Sequence, residues 1–194
     1  MTTIDIILVG GDNVGTFGYT GVGTPLFGQT FKAPNASDVF LSEFDFHINL
    51  QTTCTFKAYV YEWDVAGGKA TGSALFTSSD FTPSGSYEVA TFNPNITLDS
   101  SKTYICFCST LASSGSGSGR FGFPAGDGTN QYNNTNYELY VDGQAFFLNG
   151  TNPLAAWTPF DSNFGSDPGT DLGFKAVFTG GSTPTDNSLF FAGD

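Results

Sequence analysis

Among 194 residues there are one histidine, three cysteines and six lysines and arginines against 18 carboxylates, so few side chains are available for chemistry. A Ser-His-Asp triad would have to use His47, which shares a strand face with Asp45, but no Gly-x-Ser-x-Gly turn presents a nucleophile. His47 therefore reads as an exposed or hydrogen-bonded strand residue. Glu62 and Asp64 flank Trp63 and offer the paired carboxylates of glycoside hydrolysis, yet two residues of separation leave no groove for a sugar between them. They are expected to solvate a strand end before the Gly67-Gly68 turn. Cys106 and Cys108 fall on one strand face and Cys54 could approach from a neighbour, but a zinc site would lack its fourth ligand. Packing as small buried hydrophobes explains them better. An odd count allows at most one internal disulfide, from Cys54 to either Cys106 or Cys108. No catalytic residue is assigned, and the chain is expected not to be an enzyme.

Binding chemistry has more to draw on. Calcium is held by several oxygens from Asp, Asn and backbone carbonyls, and Asp161, Asn163, Asp167 and Asp171 supply such a set on one loop. The loop lacks the EF-hand order, with Leu172 where the closing Glu would stand, so a solvated turn is the default and a structural calcium the one cofactor considered. Sugars are bound by aromatic faces flanked by amides and carboxylates. Tyr132, Asn134 and Tyr137 lie in the densest segment of that kind, and Trp157 sits in a second aromatic loop with Phe160. Nucleic acid is excluded as a partner, because a net charge of −12 leaves too few cations to neutralise phosphates.

The elements that must position these residues are strands. Phe44, Phe46, Ile48 and Leu50 alternate with Glu43, Asp45, His47 and Asn49, the pattern of a strand buried on one face. From Cys54 to Trp63 both rows are apolar or aromatic, which predicts a central strand. Leu172, Phe174, Ala176 and Phe178 form another inward row. Further strands are expected over 27–32, 74–78, 86–92, 103–109, 120–123, 137–141 and 144–148. Asp142-Gly143 predicts a two-residue hairpin turn with positive φ at both residues. With helical periodicity almost absent, the fold class is all-β, an antiparallel two-sheet β-sandwich of jelly-roll type.

One domain is expected over 1–178, followed over 179–194 by a flexible linker and an apolar tail. The start carries an acid and no base, so it reads as a strand over Ile4 to Val9 and not as an export signal, and no apolar run is long enough to span a bilayer. Ile6 and Leu8 in that strand, with Leu189, Phe190 and Phe191 in the tail, are the candidate assembly contacts.

Several segments resemble an uncharacterised bacterial surface or exported β-sandwich module. They are Phe27-Gly-Gln-Thr-Phe31, Phe56-Lys-Ala-Tyr-Val-Tyr-Glu-Trp-Asp64, Lys69-Ala-Thr-Gly72 and Gly119-Arg-Phe-Gly-Phe123, within a likeness running from about Leu26 to Phe178. The resemblance implies a jelly-roll module on a virion or extracellular surface, without an agreed ligand. The expected function is a non-catalytic structural or interaction module, such as a surface decoration or a capsid or tail protein, whose partners are copies of itself or other structural subunits. The alternative is a carbohydrate-binding module whose partners are glycans.

Overall fold

An alternating row becomes a strand when its apolar side can be covered, and the Phe-rich rows of this chain are covered by one another. The protein's structure, a computed structural model, describes residues 1–6, 13–19, 21, 23–50, 54–85, 88–112, 117–122, 140–160 and 171–180. Among them there is strand and turn but no α-helix, and hence no helix long and apolar enough to cross a membrane.

Two antiparallel sheets pack face to face. The first contains β1 (Thr2–Asp5), β2 (Asn13–Gly18), β4 (Phe40–Leu50), β7 (Glu88–Phe92), β8 (Ile96–Thr97), β10 (Ser118–Gly122) and β13 (Phe174–Thr179). β4 is its axis: along one edge it pairs with β13 and then β10, and along the other with β8 and then β7. β1 closes the sheet outside β13, and β2 lies outside β10. The second sheet runs β12 (Thr158–Pro159), β11 (Ala145–Leu148), β3 (Leu26–Lys32), β9 (Thr103–Ser109), β5 (Lys57–Asp64), β6 (Lys69–Thr77). The β5–β6 hairpin turns at Gly67-Gly68, where Gly68 takes φ +56°, a conformation that favours glycine.

Phenylalanine fills the space between the sheets. Phe44, Phe46, Ile48, Phe174, Ala176 and Phe178 from the first sheet meet Phe27, Phe31, Ala58, Val60, Cys106 and Cys108 from the second, nearly all without solvent exposure. The rings prefer edge-to-face and offset contacts, as their quadrupoles require. Phe17 meets Phe27, Phe56 and Phe121 edge-on at 5.8, 5.4 and 5.0 Å. Fully burying such a side chain contributes about 1.5–3 kcal/mol. Cys54, Cys106 and Cys108 are free and buried, and burial pushes all three thiols up, Cys54 to about 11.

Three expectations about elements change. The N-terminal strand covers Thr2–Asp5, starting before the predicted Ile4; residues 7–9 of the prediction lie outside the described residues, and Ile6 beyond the strand is 7% exposed within this domain's own core. Its side chain is therefore already covered and is not presented to another subunit. Asp142-Gly143 does not make the expected hairpin turn. The turn is closed one residue earlier, by Gly143 N–H donating to Tyr140 O at 3.2 Å, and neither Asp142 nor Gly143 has positive φ. Glycine is needed at 143 because a Cβ there would lie 2.0 Å from the carbonyl oxygen of Thr30. The turn is thus shaped by its approach to β3. Finally, the strand expected over 137–141 is absent from its described part, since Tyr140 and Val141 are not extended pairing residues.

Candidate functional site

Central strands of a sandwich bury both faces only when something covers the outside of their sheet. On the second sheet that outer face is aromatic: Tyr59, Tyr61 and Trp63 from β5, Phe107 from β9 and Phe146 from β11, with Leu26, Ile105 and Leu148 beside them. Its cover is the segment 150–157. Trp157 packs edge-on against Phe107 at 5.1 Å and against Trp63 at 6.1 Å. Its backbone N–H donates to Gly68 O at 2.8 Å, and its indole Nε1–H donates to Pro153 O at 2.8 Å. The segment is further pinned by Leu154 N–H on Asn152 Oδ1 and Ala155 N–H on Asn152 O, both at 3.0 Å.

The cover stops short of the tyrosines. Between it and β5 lies a groove of about 200 Å³, floored by Tyr59, Tyr61 and Phe107, walled on one side by Thr151 and Pro153 and closed by Leu26, Ser109 and Leu111. Tyr59 stacks on Phe107 at 5.0 Å with 17° between the planes, and Tyr61 does so at 5.6 Å and 30°. The two tyrosines share Phe107 as a stacking partner and are tilted 45° to each other, 6.5 Å apart. Among the described residues no hydrogen bond engages the hydroxyls of Tyr59, Tyr61 or Thr151, whereas Ser109 Oγ accepts Leu111 N–H at 3.2 Å. Burial, with smaller contributions from Tyr61 and Asp80, holds the Tyr59 phenol above its ordinary range, so it stays a neutral donor. Stacked rings with free hydroxyls at the rim can hold a ligand that is apolar on one face and hydroxylated at its edge.

This is not where the sequence placed carbohydrate contacts. Tyr132, Asn134 and Tyr137 lie outside the described residues. Trp157 belongs to the groove's cover, but it is 5% exposed with its ring against Trp63 and Phe107, which corrects its reading as an exposed sugar platform. The signal for Tyr59 and Tyr61 was present in the double aromatic row of β5, where it was read only as a mark of a central strand.

The other candidates separate in space. Glu62 accepts from Lys102 Nζ at 2.6 Å and Asp64 Oδ1 from Gly67 N–H at 3.0 Å, so the two carboxylates have different structural partners. Of the proposed calcium ligands, Asp161, Asn163 and Asp167 lie outside the described residues. Asp171 has no exposure; its Oδ1 accepts from Gln29 Nε2 at 2.6 Å and its Oδ2 from Tyr140 N–H at 2.8 Å. That corrects its reading as a loop ligand: the carboxylate anchors the chain before β13 to β3. Leu8, Leu189, Phe190 and Phe191 also lie outside the described residues.

His47 is 4% exposed on the outward row of β4, beside Asp45, so of the two readings, exposed or hydrogen-bonded, the exposed one is corrected. Burial lowers the imidazole's proton affinity below its ordinary range. Above that range both folded and unfolded chains carry a neutral ring. As pH falls through it the unfolded chain protonates first, so stability is lost until the folded ring also protonates. Asp45, raised mainly by burial and held at 3.2 Å by Lys175, titrates in the opposite sense. The informative quantity is therefore a difference between proteins: between about pH 7 and about pH 5 the melting temperature of wild type is expected to fall more than that of His47→Gln. Parallel curves would show that His47 does not couple to folding. Compared with protein-family models, curated proteins and solved structures, the chain matches none of them.

Proposed function

We propose that this protein is a non-catalytic recognition module that binds carbohydrate in the groove on the outer face of its second sheet. The observation that carries the reading is the stacked run of Tyr59, Phe107 and Tyr61, open to solvent at its tyrosine end and bordered by uncommitted hydroxyls. A pyranose ring has an apolar face for the stack and equatorial hydroxyls for Thr151 and the phenols. The groove is smaller than the roughly 300–1,000 Å³ of sites that enclose extended small molecules, which suits one ring of a longer glycan. A setting on a virion or cell surface is part of the same proposal. The structural-subunit reading has less support, because Ile6 is a core residue.

Binding of the full chain to neutral hexo-oligosaccharides, followed by titration calorimetry, tests this. Tyr61→Ala is expected to weaken affinity about tenfold, since an aromatic contact contributes about 0.5–1.5 kcal/mol beyond the area it buries. Ser42→Ala, whose hydroxyl donates to Val177 O within the first sheet, should leave affinity unchanged. A folded wild-type protein that binds none of a broad glycan panel would overturn the reading, as would affinity indifferent to Tyr61→Ala.

A further inference from the structure

We propose that the groove selects an uncharged sugar ring and rejects acidic sugars, and that the ion pair between Lys57 and Asp80 at its end enforces the choice. The inference rests on the carbohydrate reading and adds to it the class of sugar. Among the described residues, none of the side chains lining the groove is charged. A carboxylate entering it would lose water and meet only phenol and hydroxyl donors, which replace ionic hydration poorly.

One cation stands where it could have answered that charge. Lys57 lies on the outward row of β5 with Tyr59 and Tyr61, and its register partner is Ser109, a residue of the groove. Its ammonium, on a side chain 28% exposed, is 3.7 Å from Asp80 Oδ1. Unpaired, it would be a natural counter-ion for a uronate bound on the tyrosines. Beside Asp80 it is neutralised, and the field of Asp80 reaches Tyr59. At the other end of β5, Lys102 Nζ is 2.6 Å from Glu62 Oε1 and is likewise answered. With a net charge of −12, the surroundings repel an anion before it arrives.

The test uses the full chain with glucan, mannan and galactan oligosaccharides, each compared with the uronate of the same backbone at low ionic strength, where charge is least screened. Wild type is expected to bind at least one neutral series, and its uronate about tenfold or more weaker. Asp80→Asn, a near-isosteric change at a half-exposed side chain, should strengthen uronate binding about fivefold and leave neutral binding within about twofold. Lys57→Gln removes the cation and keeps the Asp80 carboxylate, and should weaken uronate binding further, a second reading independent of the first variant's folding. Uronates bound as tightly as neutral sugars would overturn the selection. An unchanged ratio in both variants would overturn the role of the pair. Failure of every saccharide, neutral and acidic, would instead remove the carbohydrate reading on which both depend.

Discussion

Phe121→Ala is expected to lower the free energy of unfolding by about 3–5 kcal/mol, the range for removing a large aromatic from a filled core. Phe121 has no exposure and lies on β10, where its ring stacks on Phe27 of the opposite sheet at 5.5 Å and 16°. It also meets Phe17 at 5.0 Å and Phe46 at 5.4 Å, both edge-on. Alanine would remove the transfer energy of the ring and leave four strands facing a void. Their rings are held by neighbours of their own, so the void cannot close cheaply. A domain of this size has about 5–15 kcal/mol in hand, so the loss would be a large fraction of the whole. Urea unfolding should show an earlier midpoint with the same slope, and Phe121→Leu should recover more than half of the difference. A midpoint shift worth less than about 1 kcal/mol would mean that the inter-sheet packing around Phe121 is looser than these contacts indicate.

Gln29→Leu is the second large effect, expected to cost about 3 kcal/mol by a different mechanism. Gln29 points inward from β3 with no exposure, donates from Nε2 to Asp171 Oδ1 at 2.6 Å and accepts Leu172 N–H on Oε1 at 2.9 Å. Leucine matches its size and removes both functions at once. The Asp171 carboxylate then loses a short donor inside the core, and the Leu172 amide loses its acceptor. Thermal unfolding is the measurement, with Thr71→Val as a comparison at an exposed strand position. If Gln29→Leu proves neutral, the Gln29–Asp171 bond is not what holds the approach to β13 against β3. The double variant Gln29→Leu with Asp171→Leu should be less destabilised than the two single losses added, because no buried charge is then left with a missing donor.

The sandwich was legible because most of its inner rows keep period two, Leu41 at the register shift between β4 and β13 being out of step. Phe44, Phe46 and Ile48 on one strand, and Leu172, Phe174, Ala176 and Phe178 on another, are all fully buried. β2 went unread because Asn13–Gly18 carries two glycines and little alternation, and it exists as a strand by pairing with β10. Asp142-Gly143 misled because turn chemistry describes the isolated dipeptide, whereas here the close approach to Thr30 sets the geometry. The groove was half legible. Tyr59 and Tyr61 announce an aromatic outer face, but what leaves part of it open is a segment some ninety residues later in the chain, ending in Trp157. A partner that distant leaves no local period to read. Trp157 was a candidate sugar contact from its loop alone, and its burial by Trp63 and Phe107 was not legible because it depends on strand order and not on spacing.

The first sheet also sets a timetable. Its first strand pairs with its last, Thr2 opposite Phe178 and Asp5 opposite Lys175, and β4 receives β13 along most of one edge. A ribosome delivers β4 long before β13, so during synthesis the inward phenylalanines of β4 wait without half of their neighbours, and β1 waits for nearly the whole chain. Pairings that span such distances make folding slow and leave unpaired strand edges open to other nascent copies. The sheet that holds Phe44, Phe46 and Phe178 is therefore also the last to be finished, and the yield of the folded protein should depend on how crowded the chain is while it waits.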